Sequence, residues 1–315
     1  MVPDKPDPPS SAFGVKGSWW RVAGSPPDNS PGDHQSSISM TSFIAWLGVD
    51  SRGPTSMYFA SDSRISWDKV PGVWDCGQKV FAANAGAEIF GFTGYVLLPQ
   101  SILGKACSFI DRGMRASSAS ESFETRVAWL KDLAEREVAM HPNRRIEDFT
   151  IFYGQRSGMG MPPNSTFHLH VISWDSKAKV LSAWPVVLPS RSGVLKTHGT
   201  GKAGVDKWSD AWTLSDQGNT SRTMFSAFCD SLQAKEDPMS GGEPQLVGLY
   251  RQGPGQVFGV VTERGPSLHG SLLLDVPPGV KLEWRDQLFQ RVSANGELLK
   301  HAQPHSRPAQ VGAPS

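Results

Sequence analysis

Along the first 40 residues, apolar side chains are confined to the short stretch Val15 to Val22, and the remainder is rich in Pro, Ser, Gly and Asp. Such a segment cannot bury enough surface to offset the entropy of ordering it, so residues 1–40 are expected to form a disordered leader. At Thr41 the character changes to Thr-Ser-Phe-Ile-Ala-Trp-Leu-Gly-Val, a β-branched and aromatic run that ends in Asp50-Ser51-Arg52-Gly53-Pro54. The residue types predict a strand and then a turn. A second strand, Ser56 to Asp62, follows closely enough to pair with the first as an antiparallel hairpin. Short strands are expected at 78–82 and 88–93. Helical patterning then covers Val96 to Asp111, followed by a segment opened by Ser120 or Ser122 in which Phe123, Val127, Leu130 and Leu133 recur at helical spacing.

Strand patterning resumes at Phe149 to Tyr153, Thr166 to Trp174 and Val180 to Val187, with Asp175-Ser176-Lys177 as a turn. Helices are expected at about 203–213 and 221–234, and closing strands at 245–250 and 256–261. Strands and helix pairs thus come in segregated blocks. That order indicates an α+β fold with two antiparallel sheets between helical layers, a four-layer αββα sandwich, because a doubly wound parallel sheet would alternate single strands and helices. The folded domain is expected to span 41–301, and the polar, Pro-rich residues 302–315 to form a disordered tail.

Composition narrows the function. Lys and Arg number 31 against 30 Asp and Glu, with no block of like charge, so attraction to nucleic acid or to an anionic membrane surface is not expected. No apolar run approaches the roughly 20 residues that cross a bilayer, and the N-terminus lacks a signal-peptide core. Cys76, Cys107 and Cys229 are too scattered for a disulfide framework or a metal knuckle. Reduced thiols favour a cytoplasmic location.

The candidate chemistry begins at the break in pattern. A threonine hydroxyl is a poor nucleophile unless a base removes its proton, and a free α-amine on the same residue can serve. An α-amine titrates near neutrality, and a fixed cation nearby favours its neutral, basic form. Three segments supply such a set in order: Thr41-Ser-Phe-Ile-Ala, Ala60-Ser-Asp62-Ser-Arg64 and Gln78-Lys79-Val-Phe81. Further on come Phe92-Thr93-Gly94, Gly199-Thr200-Gly201 and Asp237-Pro-Met-Ser240-Gly-Gly, the last followed by Leu246-Val-Gly-Leu-Tyr250. Taken singly, each is an ordinary strand or turn.

Taken together, over about Thr41 to Glu263, they resemble the proteasome β-subunit family of N-terminal-nucleophile hydrolases and its bacterial relatives. The resemblance implies a threonine-type peptidase that cleaves amide bonds without metal or organic cofactor. Thr41 would be the nucleophile, Asp62 would orient Lys79, and Lys79 would supply the positive field. Gly94 would offer the oxyanion amide, and Thr200, Asp237 and Ser240 would bond around the nucleophile's amine. It implies a peptide or protein substrate, a homo-oligomer such as a ring, and an ATP-dependent unfoldase as a partner to test for. Thr200 stands where the family has Ser, and the Thr41 to Asp62 spacing is longer than typical, an excess assigned to the turn at 50–55. Substrate preference would rest on side chains around Ser61, Trp74 and Thr93. The alternative is a proteasome-like scaffold or binding subunit without catalysis. The residues before Thr41 would be removed either as a propeptide or, the preferred reading, because translation starts at Met40.

Other motifs carry less. Gly199-Thr-Gly-Lys-Ala-Gly204 matches a dinucleotide fingerprint but lacks a βαβ setting. Ser66-Trp-Asp-Lys69 lacks the companion motifs of a serine β-lactamase. His168 and His170 are expected on one strand face, not on a metal.

Overall fold

The computed structural model describes residues 41–309 except 68, 69, 116–120, 143, 144 and 219, and for 70 and 71 the backbone alone. The expected leader, 1–40, and residues 310–315 lie outside the described residues. Strands β1 (Phe43–Asp50) and β2 (Gly53–Ser61) form the expected hairpin, with Phe43 opposite Ser61 and a register shift between Gly48 and Val49. The turn at 50–53 joins the two strands. Arg251 fixes that end, donating to both Asp50 carboxylate oxygens and to the carbonyls of Gly53 and Pro54. A two-stranded ribbon, β3 (Ile65–Trp67) and β4 (Val70–Trp74), then leads to β5 (Val80–Ala82) and β6 (Glu88–Gly94).

Helices α1 (Leu97–Asp111) and α2 (Phe123–Met140) follow; Ser122 caps α2, its hydroxyl accepting from Thr125 N at 3.2 Å. Next come β7 (Phe149–Gly158), β8 (Ser165–Asp175), β9 (Val180–Val186) and β10 (Gly193–His198), then α3 (Lys202–Thr213) and α4 (Ser221–Gln233). The chain closes with β11 (Gln245–Tyr250), β12 (Gln256–Thr262), β13 (Gly265–Leu268), β14 (Ser271–Leu272), β15 (Glu283–Asp286) and β16 (Arg291–Val292).

One sheet runs β10-β1-β2-β11-β12-β13-β14, with β15 joined parallel to β12 and β16 beside it; another runs β5-β6-β7-β8-β9, antiparallel throughout. The fold is therefore a mixture of antiparallel sheets and four helices among the described residues. Among the described residues three larger apolar clusters hold it, beside a small one of Trp208, Trp212 and Ala227. Phe43, Phe59 and Val247 of the larger sheet pack with Ile89, Phe152 and Val171 of the smaller. The other face of the smaller sheet packs on α1 and α2 through Phe90, Ile102 and Leu130. The other face of the larger sheet packs on α3 and α4 through Trp46, Val205, Phe225 and Phe228. Period-two burial along β1 and β2 thus serves two clusters at once: Phe43, Ala45 and Leu47 point one way, Ile44 and Trp46 the other.

The segment after β14 packs back on the larger sheet. The turn after β15 is closed by the Asp286 carboxylate, which accepts from Leu288 N and Gln290 N at 2.9 and 2.8 Å. This projects Phe289, 4% exposed, against Tyr58, Phe225 and Trp46 at ring separations of 5.1, 5.5 and 6.0 Å. Residues 303–307, read from sequence as part of the tail, are anchored: His305 N donates to Gln290, and Arg307 pairs with the buried Asp230. A Pro-rich polar segment lacks a core of its own, but here it borrows one. Phe289→Ala is expected to cost about 3–5 kcal/mol, read as a lower urea midpoint at unchanged slope.

Candidate active site

Thr41 and Ser42 enter the larger sheet where four segments converge: the end of β2, the start of β5, the turn before α3 and the turn after α4. Asp62, fully buried, accepts four hydrogen bonds. Its Oδ1 takes Lys79 Nζ at 2.8 Å and Ser42 N at 3.0 Å; its Oδ2 takes Arg64 N at 3.1 Å and Gly241 N at 3.0 Å. Every lone-pair direction of the carboxylate is used. Lys79 is equally buried. Burial pushes the Asp62 carboxyl up and the Lys79 ammonium down, and each charge opposes the shift of the other. The four N–H donors around Asp62 favour its ionised form, and that charge in turn favours the cationic form of the lysine.

The second half of the site is a chain of hydroxyls. Thr41 N donates to Thr200 Oγ1 at 3.4 Å, and Thr200 Oγ1 donates to Asp237 Oδ2 at 2.6 Å. Ser240 Oγ donates to the same Asp237 oxygen at 2.7 Å and accepts from Ser42 Oγ at 2.9 Å. Thr200 Oγ1 thus both accepts and donates, linking Thr41 N to Asp237. The route from Thr41 N through Thr200, Asp237, Ser240, Ser42 and Asp62 to Lys79 is continuous. Two glycines permit it. A Cβ on Gly199, φ +96°, would lie 1.9 Å from Thr41 O, and one on Gly201 would lie 1.8 Å from Ser42 Oγ. The turn must be Gly-x-Gly for Thr200 to approach β1. β10, which precedes that turn, pairs antiparallel with β1, so no dinucleotide-type βαβ unit exists there.

Six of the seven residues singled out from sequence, Thr41, Asp62, Lys79, Thr200, Asp237 and Ser240, are therefore joined in one network. Gly94 stands at the end of β6 with φ +90°. Phe92 N donates to Lys79 O at 3.1 Å, and strand alternation turns the Gly94 N–H, two residues on, to that same side.

Sequence reasoning missed Ser42 and Gln245. Ser42 links the two halves, and Asp62 N returns to its carbonyl at 3.2 Å. Gln245, the first residue of β11, accepts from Lys79 N at 3.0 Å and donates to the carbonyls of Asp62 and Gly77 at 3.0 and 2.7 Å. Arg64 adds a bidentate pair with Asp75 at 2.8 and 2.9 Å and donates to Pro238 O at 3.0 Å.

A cavity of about 170 Å³ opens against Ser42, Thr200, Gly201, Asp237 and Ser240, the hydroxyl side of the network. A second, about 430 Å³, adjoins it beside Arg64, Asp75, Pro238 and Gly241. Of the residues expected to set substrate preference, Ser61 turns its hydroxyl to Ser42 O at 3.2 Å, Thr93 is fully buried, and Trp74 is half exposed on β4. His168 and His170 stand on β8 against the Phe123 ring, at 4.0 and 5.4 Å. Among the described residues no group of three or more His, Cys, Asp or Glu is placed to hold a metal, and no helix is long and apolar enough to cross a membrane.

No protein-family model matches the sequence, and no curated protein matches it. Among solved structures the chain is similar to a subunit of the helical assembly of the Anbu complex from Pseudomonas aeruginosa, with TM-score 0.46 and 14% identity over 70% of this chain and 87% of that one. It is also similar to eukaryotic HslV from Trypanosoma brucei, with TM-score 0.40 and 12% identity over 66% of this chain and 99% of that one.

Proposed function

We propose that the chain, once its N-terminus is Thr41, is a threonine-type amide hydrolase with the αββα arrangement of N-terminal-nucleophile enzymes, acting on peptide bonds. The observation that carries this reading is the continuous polar network from Thr41 N to the buried Lys79–Asp62 pair. The three separate apolar clusters support the layered arrangement.

In this reading the Thr41 Oγ–carbon bond forms as the hydroxyl proton passes to the free amine. The carbonyl oxygen becomes an alkoxide facing Gly94 N–H, an interaction worth about 3 kcal/mol in comparable sites. The C–N bond then breaks, the leaving nitrogen takes the proton from the Thr41 ammonium, and an ester remains on Oγ. Water, deprotonated by the same amine, resolves the ester and restores the hydroxyl. Lys79 keeps the amine neutral at working pH by its charge, and Asp62 keeps Lys79 charged. Thr200, Asp237 and Ser240 orient the amine's protons. By the same motif resemblance we infer assembly of several copies.

The test is digestion of a mixed peptide library by the chain beginning at Thr41, followed by mass spectrometry of both peptides and protein. Internal cleavage with a transient acyl adduct on Thr41 is the expected result, and Lys79→Ala is expected to lose it. Neither cleavage nor adduct in the unaltered chain would leave a non-catalytic scaffold as the reading.

A further inference from the structure

Two of the turns that compose the site are joined by a side-chain contact outside the network above. Thr93, fully buried, directly precedes Gly94; His198, the last residue of β10, directly precedes the Gly199–Gly201 turn. Thr93 Oγ1 and His198 Nδ1 lie 2.8 Å apart. The imidazole is set by its surroundings: its ring meets the edge of Phe152 of β7 at 5.5 Å, and across the sheet it faces Phe43 of β1. We infer that His198 is a positioning residue for the proposed hydrolysis, tying the turn that presents Gly94 N–H to the turn that holds the Thr41 amine, so that amine and oxyanion donor keep a fixed separation. The inference rests on the functional reading above.

The electrostatics agree with that role. Burial holds the imidazole below its ordinary pKa, and Lys196 of β10 and Lys202 at the start of α3 add to this; Lys202 is itself paired with Asp206. The neighbours from β6, β7 and β1, Thr93, Phe152 and Phe43, carry no charge. At neutral pH the ring is therefore neutral, and with its proton on Nε2 it accepts the Thr93 hydroxyl at Nδ1. A proton on Nδ1 would reverse the bond and free the Thr93 hydroxyl to turn. Phe at 198 keeps the ring and loses the bond; Asn places a polar atom near the Nδ1 position.

The experiment compares His198→Phe, His198→Asn, Thr93→Val and the double variant His198→Phe with Thr93→Val, in chains beginning at Thr41. Labelling of Thr41 by an amine-and-hydroxyl-directed electrophile is measured beside peptide hydrolysis. Loss of one oriented hydrogen bond predicts about a tenfold fall in kcat for His198→Phe and Thr93→Val, with KM within about twofold. The double variant should fall no further than either single one, and His198→Asn should recover most of the rate. In nitrogen NMR, His198 should show an unprotonated, hydrogen-bonded Nδ1 that shifts in Thr93→Val, a readout that needs no turnover. Labelled, active wild type with unchanged or independently additive variants would overturn the positioning role while leaving the functional reading intact. Unlabelled, inactive wild type would instead remove that reading, and the positioning role with it.

Discussion

Thr41→Ala is expected to reduce turnover by about 10⁶-fold, the loss that follows when a nucleophile working as a unit with its base is removed. The fold should survive, because β1 is held by backbone pairing to β2 and β10 and by Phe43, Ile44 and Trp46 in two cores. Stability should change by about 1 kcal/mol, the scale of one hydroxyl's interactions. Thr41→Ser keeps amine and hydroxyl together and should retain measurable activity. Parallel hydrolysis assays and urea curves separate the two effects. A Thr41→Ala chain as active as its parent would mean that the observed hydrolysis arises elsewhere.

Asp62→Ala should damage stability and activity together. It strands the Lys79 ammonium in an interior where it is about 1% exposed, and it removes the acceptor of Ser42 N, Arg64 N and Gly241 N. Breaking a buried pair from one side costs about 3–5 kcal/mol, and the melting temperature should fall by roughly 10 °C for a domain of this size. Activity should vanish with it, because an uncompensated Lys79 sheds its proton and with it the field on the Thr41 amine. Adding Lys79→Met to Asp62→Ala removes the stranded charge and should recover part of the stability and none of the activity. Recovery stays partial because three amides still lack their acceptor. Differential scanning calorimetry of the two variants against the parent tests this directly; full recovery would mean that the amides find other partners.

How far the sequence discloses this site follows from where each residue's partners lie. Thr41, Asp62 and Lys79 are legible because each flanks the end of a strand, and β1, β2 and β5 declare themselves by residue type within a few positions. The turns at 199–201 and 237–242 are legible because Gly and an Asx side chain dictate turns locally: Met239 N returns to Asp237 Oδ1 at 2.9 Å. Ser42 and Gln245 are not legible. Their roles depend on pairings across the sheet, Gln245 opposite Ser61, that no local pattern announces. β10 is short and polar, Gly-Val-Leu-Lys-Thr-His, and becomes a strand because β1 offers it an unpaired edge. Residues 303–307 read as tail for the same reason in reverse: their order comes from Asp230, Gln290 and Leu288, not from themselves.

The most direct measurement of the central claim is intact mass and N-terminal sequencing of the purified full-length product, wild type and Thr41→Ala, each treated with an electrophile that bridges an adjacent amine and hydroxyl. The account predicts a mature chain that begins at Thr41, with the adduct on wild type alone. A chain that retains residues before Thr41 in every active preparation, or an adduct that forms equally on Thr41→Ala, would contradict it.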